Sequence, residues 1–239
     1  MPLNVDKCYA LHFLPKNNPN ILYNVNGVTL PSTNVIKDLG LYVDSHLKFR
    51  SHMDHVNTKC YRTINLIFKN FSLRDSHVYC TLYKVYVLPI VLYGLPLYSN
   101  GSNTFISEIE KIQRYFTRRL FMRIKPNETR LSYTERMKLF NLQSLEFLII
   151  KTDLCTLFKL INNLFPSSFE FQFSTRSPMR FIFCQCSSRL FRNSFFHRAL
   201  VSWNKLIASK IPSLAIDLPC FQKLIDSLPL SSPGSTSEA

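Results

Sequence analysis

The spacing of apolar positions changes character near residue 44. Before it, short apolar runs over residues 8–14 and 21–25 flank the turn cluster Lys16-Asn17-Asn18-Pro19-Asn20 and read as strands. Val25-Asn26-Gly27-Val28 sets Asn-Gly between β-formers, a strong short hairpin signal because both turn residues accept positive φ. A third run, residues 37–43, is expected to complete one small antiparallel sheet. So small a sheet is not stable alone and must lean on something larger.

After residue 44 the period becomes helical. Val56, Cys60, Ile64, Ile67 and Phe68 form one stripe, away from His55, Lys59 and Arg62. Phe71-Ser72 breaks that helix. A second helix is expected with Val78, Leu82, Val85 and Tyr86 on its apolar side, kinked or ended by Pro89. A polar loop over 99–103 leads to a third helix over 104–124, and three antiparallel helices with short loops make a bundle. Ser132 and Glu135 have capping-box spacing, opening a helix that Asn141 ends. Residues 144–164 read as a long amphipathic helix. Residues 169–192 read as irregular or strand-like, with Phe169, Phe171 and Phe173 alternating, and 193–210 and 219–228 as two further helices. The fold class is therefore mainly α, with a small N-terminal antiparallel β region. It divides into segments 1–45, 46–128 and 129–228 and a Ser/Pro-rich tail over 229–239 expected to be disordered.

Charge narrows the function. Among 239 residues, 29 Lys and Arg oppose 15 Asp and Glu, a net charge of +14. Such a balance points to a polyanionic partner, nucleic acid or an acidic membrane surface. The longest apolar run, residues 85–98, is short of a bilayer span and contains Pro89, Gly94 and Pro96, so no membrane insertion is expected. Seven scattered cysteines and the absence of a visible signal peptide suit a reducing, intracellular location.

Two stretches concentrate the cations. In the third helix, Lys111, Arg114 and Arg118 fall within roughly 60° of one another, opposite Ile109, Ile112, Phe116, Leu120 and Ile124, with Arg119, Arg123 and Lys125 extending the charge. Glu108 and Glu110 in the first part of that helix fit an ordinary solvated face as well. The second stretch, residues 171–216, carries Arg176, Arg180, Arg189, Arg192, Arg198, Lys205 and Lys210 and no acid. Phe181, Phe183, Phe191, Phe195, Phe196 and Trp203 are interleaved there. Cations can track phosphates while aromatic faces stack on bases; equally, the aromatics can be core.

Chemistry-bearing motifs are sparse. Cys184-x-Cys186 lacks the spacing and second ligand pair of structural zinc, and His52 and His55 lack supporting ligands, so no metal site is expected. There is no Gly-x-Ser-x-Gly, P-loop or His-Glu-x-x-His motif. None of the eight aspartates is adjacent to another, whereas two-metal phosphoryl transfer needs converging carboxylates.

Several stretches, taken in order, resemble the region downstream of the active site in reverse transcriptases of non-LTR, LINE-type retrotransposons of the jockey and chicken-repeat group. Leu3-Asn4-Val5-Asp6-Lys7-Cys8 is similar to the motif after the catalytic Asp-Asp hairpin. Val25-Asn26-Gly27 with Lys37-Asp38-Leu39-Gly40-Leu41-Tyr42-Val43-Asp44 resembles the hairpin and primer-grip segment. Leu82-Tyr83, Val87-Leu88-Pro89 and Leu92-Tyr93-Gly94 resemble the second thumb helix, and Ile109-Glu110-Lys111-Ile112-Gln113-Arg114-Tyr115-Phe116-Thr117-Arg118-Arg119 the basic third helix. The likeness continues through Tyr133-Thr134-Glu135-Arg136-Met137-Lys138, Leu142-Gln143-Ser144-Leu145-Glu146, Asp153-Leu154, Phe195-Phe196-His197-Arg198 and Trp203-Asn204-Lys205-Leu206.

The resemblance implies a palm edge, a thumb and a C-terminal helical region that clamp RNA or RNA–DNA hybrid. It implies a general-acid role toward pyrophosphate for Lys7, and a primer-contacting turn at Leu39 and Gly40, where a missing Cβ permits close approach. The family's Asp-Asp motif would stand just before Leu3 and is absent here, as are fingers and endonuclease. The parent enzyme would use magnesium. This chain is expected to hold no cofactor and to show no polymerase activity alone, unless the missing palm and fingers act as partner. The competing expectations are a non-enzymatic protein-interaction scaffold and a non-functional truncated product.

Overall fold

The computed structural model describes residues 4–13, 21–99, 102–166, 170–182, 188–211 and 216–228. The tail, Phe169, Phe183, Cys184 and Cys186 lie outside the described residues. The chain divides into two compact units, residues 1–59 and 60–239, with the division falling inside the residue range of helix α1 (Arg50–Asn70).

In the first unit a 3₁₀ turn, Val5–Lys7, is capped by Asn4, whose side chain accepts the Asp6 N–H. Asn26 and Gly27, at φ of 52° and 81°, join β1 (Asn24–Val25) to β2 (Val28–Thr29). The third apolar run is not a third strand of that sheet. It folds back at Leu39 and Gly40, both at positive φ, so that β3 (Val35–Asp38) pairs antiparallel with β4 (Leu41–Asp44) in a second, separate two-stranded sheet. The strand expected over 8–14 reduces, among its described residues, to an isolated bridge from Ala10 to Ser32. The Asp44 carboxylate accepts the backbone N–H groups of His46, Lys48 and Phe49 at 3.0, 3.1 and 2.5 Å. That knot holds Leu47 and Phe49 at positive φ and delays the helix to Arg50. Leu41, Met53 and Val56 are the buried apolar side chains among the unit's described residues.

In the second unit the segment after α1 runs as α2 (Ser76–Leu82), a π-helical turn (Tyr83–Val87), α3 (Leu88–Leu92) and α4 (Leu95–Tyr98). Its buried stripe is Tyr79, Tyr83, Val87, Val91 and Leu95, every fourth residue; Val85 and Tyr86, expected inside, are exposed. At 100° per residue an every-fourth pattern drifts about 40° each step around a regular α-helix. The wider π turn takes up that drift and keeps the stripe on one side. Pro89 sits where α geometry resumes, so its missing N–H costs little.

The third helix of the bundle, α5 (Asn103–Ile124), is capped by Ser102 and buries Ile109, Ile112, Phe116 and Leu120 as the periodicity predicts. Tyr83 stacks on Phe116 with ring centres 4.2 Å apart, and Phe68 on Tyr79 at 4.9 Å. The Tyr83 hydroxyl is buried with no hydrogen-bond partner among the described residues, whereas the Tyr98 hydroxyl donates to the Val91 carbonyl. Tyr83→Phe is therefore expected to raise stability by about 1 kcal/mol and Tyr98→Phe to lower it by a similar amount, as read in urea melts. Loss of stability in Tyr83→Phe would reveal a partner for that hydroxyl.

The capping box forms as expected: Glu135 N–H donates to Ser132 and the Glu135 carboxylate accepts from Ser132 N–H, opening α6 (Tyr133–Leu139). Asn141, at φ 47°, follows its end. Then come α7 (Leu145–Ile161), α8 (Arg189–Arg192), α9 (Phe195–Leu206) and α10 (Leu218–Asp226). A second core joins α7, α9 and α10 around Trp203, Phe158 and Phe221, with the latter two rings stacked at 4.2 Å. The Trp203 indole N–H donates to the Met179 carbonyl, and Asn204 exchanges two hydrogen bonds of 2.9 Å with the Phe181 backbone. Phe181 and Trp203 are thus interior side chains, with Phe195 and Phe196 half-buried beside each other, so of the two readings of these aromatics the core one holds at Phe181 and Trp203.

Candidate nucleic-acid interface

The apolar stripe that fixes α5 in the bundle leaves its opposite side to solvent, and the cations of that side are not equivalent. Lys111 is exposed. Arg114 is tied to Glu110 at 3.3 Å, and its guanidinium lies 4.3 Å from the centre of the Tyr133 ring. Burial and Glu110 together push the Tyr133 phenol well above its ordinary pKa.

The C-terminal half of α5 is different. Arg118 lines a concavity of about 220 Å³ with Phe121, Met122, Arg130, Leu131 and Arg136. Arg136 is braced there: its Nη1 donates to the Leu131 carbonyl and its Nε to Thr117 Oγ1 at 3.4 Å. Burial first, and then the charge of Arg118, hold the Arg136 guanidinium below its usual pKa. Such crowding of like charge is relieved by an anion.

A second concavity, about 420 Å³, is lined by Phe68, Ser72, Arg74, Arg119, Met122, Arg123 and Pro126. Arg119 is fixed on two sides. Its Nη1 donates to Asn65 Oδ1 and to the Tyr115 hydroxyl at 3.0 Å, and its guanidinium lies 4.8 Å from the Phe68 ring centre. Arg123 donates to the Phe68 carbonyl at 3.0 Å. Met122 lines both concavities, so they adjoin; among the described residues six arginines wall them and no carboxylate does. The nearest charge pair in sequence is Lys125 with Glu128, at 2.8 Å.

Other expected site residues are placed elsewhere. Arg198 is not a surface cation. Its side chain is 13% exposed and forks onto the Asp153 carboxylate, Nε and Nη2 each donating at 3.2 Å, while Nη1 donates to the carbonyls of Ser99 and Asn193. Every donor of its fork is directed inward, so a phosphate role for Arg198 is replaced by a structural one. Arg192 is exposed on α8, and the side chain of Arg189 lies outside the described residues. Lys7 and the Leu39-Gly40 turn belong to the first unit. Lys7 is exposed at the end of its 3₁₀ turn, and Leu39 is 84% exposed at φ 43°.

Arg74, Arg130 and Arg136 were absent from the residues picked by charge clustering, because they come from the loop after α1, the loop after α5 and helix α6. Only the fold gathers them. Among the described residues, no three or more His, Cys, Asp or Glu side chains converge where they could hold a metal ion. His52 is buried on α1 and faces the Tyr42 N–H through Nδ1 at 3.5 Å; burial, then the nearby His55, lowers its pKa. Among the described residues no helix is long and apolar enough to cross a membrane.

Compared with known proteins, the chain matches no family model and no solved structure. It is similar to an uncharacterized protein of Caenorhabditis elegans, with 28% identity over 113 residues. That match covers 47% of this chain and 56% of the nematode protein, so the chain spans about half the length of the relative it matches.

Proposed function

We propose that this chain binds RNA or RNA–DNA hybrid without sequence preference through the C-terminal half of α5, in the manner of a reverse-transcriptase thumb. One observation carries the reading: two adjoining concavities are walled by Arg74, Arg118, Arg119, Arg123, Arg130 and Arg136, with no carboxylate among the described residues that line them. An ordinary solvated helix face mixes signs, as the N-terminal half of α5 does with Glu108, Glu110, Lys111 and Arg114. The ordered likeness to LINE-type reverse transcriptases supports the same reading from the sequence alone.

Filter binding of homopolymeric RNA between about 50 and 200 mM salt tests it. Six phosphate contacts to a single strand predict a log–log slope of roughly −4. Binding that is absent, or indifferent to salt, refutes the proposal.

A second reading, a protein-interaction scaffold, draws on the exposed side chains of Val85, Tyr86, Tyr93 and Leu97 along the second helical segment. Its signature is a pull-down that survives nuclease treatment and is lost in Tyr86→Ser/Tyr93→Ser.

A further inference from the structure

The larger concavity carries a hydroxyl among its arginines: Ser72 lines it together with Arg74, Arg119 and Arg123. Ser72 belongs to the link 71–75 between α1 and α2, which is neither helix nor strand. It is exposed, and among the described residues Ser72, Leu73 and Arg74 make no backbone hydrogen bond. Such a segment can enter an enzyme's groove without breaking a helix or a sheet. Its charges fit one class of enzyme. Lys69 stands three residues before the hydroxyl and Arg74 two residues after it, and kinases select substrates partly by such charge patterns. In the whole sequence, Lys or Arg occupies both of those offsets at Ser72 and Thr117 alone. Thr117 is fully buried and its hydroxyl donates to the Gln113 carbonyl at 2.8 Å, which leaves Ser72 as the one within a kinase's reach.

We propose that Ser72 is a phosphorylation site for a serine/threonine kinase of basic specificity, and that its phosphoryl group occupies the arginine-lined concavity and closes it to nucleic acid. In the transfer, Ser72 Oγ bonds to the γ-phosphorus of ATP held by the kinase. The bond to the β–γ bridging oxygen breaks, ADP leaves with that electron pair, and the hydroxyl proton passes to the kinase's catalytic aspartate. The product brings a charge of about −1.5 to −2 and three acceptor oxygens to a wall of guanidinium groups. Asp75, the acid that follows Arg74, is turned to the start of α2, where its carboxylate accepts the His77 N–H at 2.8 Å. Closure of the concavity rests on the polyanion-binding reading above and adds its regulation; capture of the phosphoryl group by the arginines does not depend on that reading.

The full chain is treated with the catalytic fragment of protein kinase C and labelled ATP. Label is expected on Ser72 and is lost in Ser72→Ala; no incorporation, or label that persists in Ser72→Ala, overturns the site. Phosphorus NMR of the modified chain then reads capture. The second ionisation of phosphoserine, ordinarily near pH 6, should fall at lower pH in the folded chain than in the same chain unfolded in urea, because the arginines favour the dianion. Equal titration in both states overturns capture. Filter binding of homopolymeric RNA reads closure: the modified chain should bind at least roughly tenfold more weakly at 0.1 M salt, with a salt slope smaller by about 2 for three masked phosphate contacts. Equal binding by both forms overturns closure. An unmodified chain that binds no RNA overturns the polyanion reading and closure together, and the phosphorus titration still decides capture.

Discussion

Asp153→Ala is expected to lower the unfolding free energy by about 3–5 kcal/mol. Asp153 is 4% exposed on α7 and accepts two hydrogen bonds from Arg198 of α9. Alanine leaves the Arg198 Nε and Nη2 groups buried without acceptors, although Nη1 keeps its two carbonyls. Asp153→Asn retains an acceptor oxygen and should cost far less. Arg198→Met combined with Asp153→Leu removes both desolvated charges and should recover most of the loss, because a buried ion pair is often no better than well-packed apolar residues. Urea denaturation of the four proteins checks the order. An Asp153→Ala variant within 1 kcal/mol of the parent would mean that the pair is solvated.

The same carboxyl carries a pH dependence of defined sign. Burial outweighs the attraction of Arg198 and pushes the Asp153 pKa from 3.8 up to about 6. Between those two values the folded chain binds more protons at this site than the unfolded chain, so the contribution is full below pH 3.8 and is lost as pH rises through 6. Asp153→Asn should remove that dependence and leave a flatter profile. The exposed carboxylates of Glu135 and Asp217, lowered by their capping hydrogen bonds, act in the opposite direction.

What was legible in the sequence follows from which interactions are local. The capping box at Ser132, the Asn26-Gly27 turn and the apolar face of α5 depend on neighbours within a few residues, and the structure forms each where the spacing puts it. The second helix was misread because its every-fourth stripe requires a π turn, which has no simple residue signature; fitted to a regular α-helix, the pattern favours Val85 and Tyr86 instead. The apolar pattern alone makes residues 37–43 one strand because leucine rarely takes positive φ, whereas the family resemblance implies a turn at Leu39 and Gly40, where the chain folds back. Arg198 looked like a surface cation for a related reason. Its partner Asp153 lies 45 residues away, and only the packing of α7 against α9 brings them together. Conversely, the arginines added to the α5 face come from three different elements. Charge clustering along a chain detects cations that are near in sequence, whereas a phosphate chain meets those that are near in space.

That distinction fixes the largest expected effect on binding. Arg74, Arg118 and Arg130 are exposed, come from three elements and divide between the two concavities. Replacing all three by glutamine should reduce the salt slope of single-strand binding by about 2 and weaken affinity roughly a hundredfold at 0.1 M salt, since each lost phosphate contact releases about 0.7 fewer counterions. Stability should change little, as exposed polar substitutions usually do. The matched control is Arg176, Lys205 and Lys210, also exposed, which removes the same charge from the second basic stretch. If attraction depended only on the net charge of +14, the two triple variants would weaken binding equally. If the 171–216 stretch carried the contacts, the control would be the weaker binder. A clamp built on α5 demands the reverse order, because screening confines attraction to charges within about 10 Å of the phosphates at that salt.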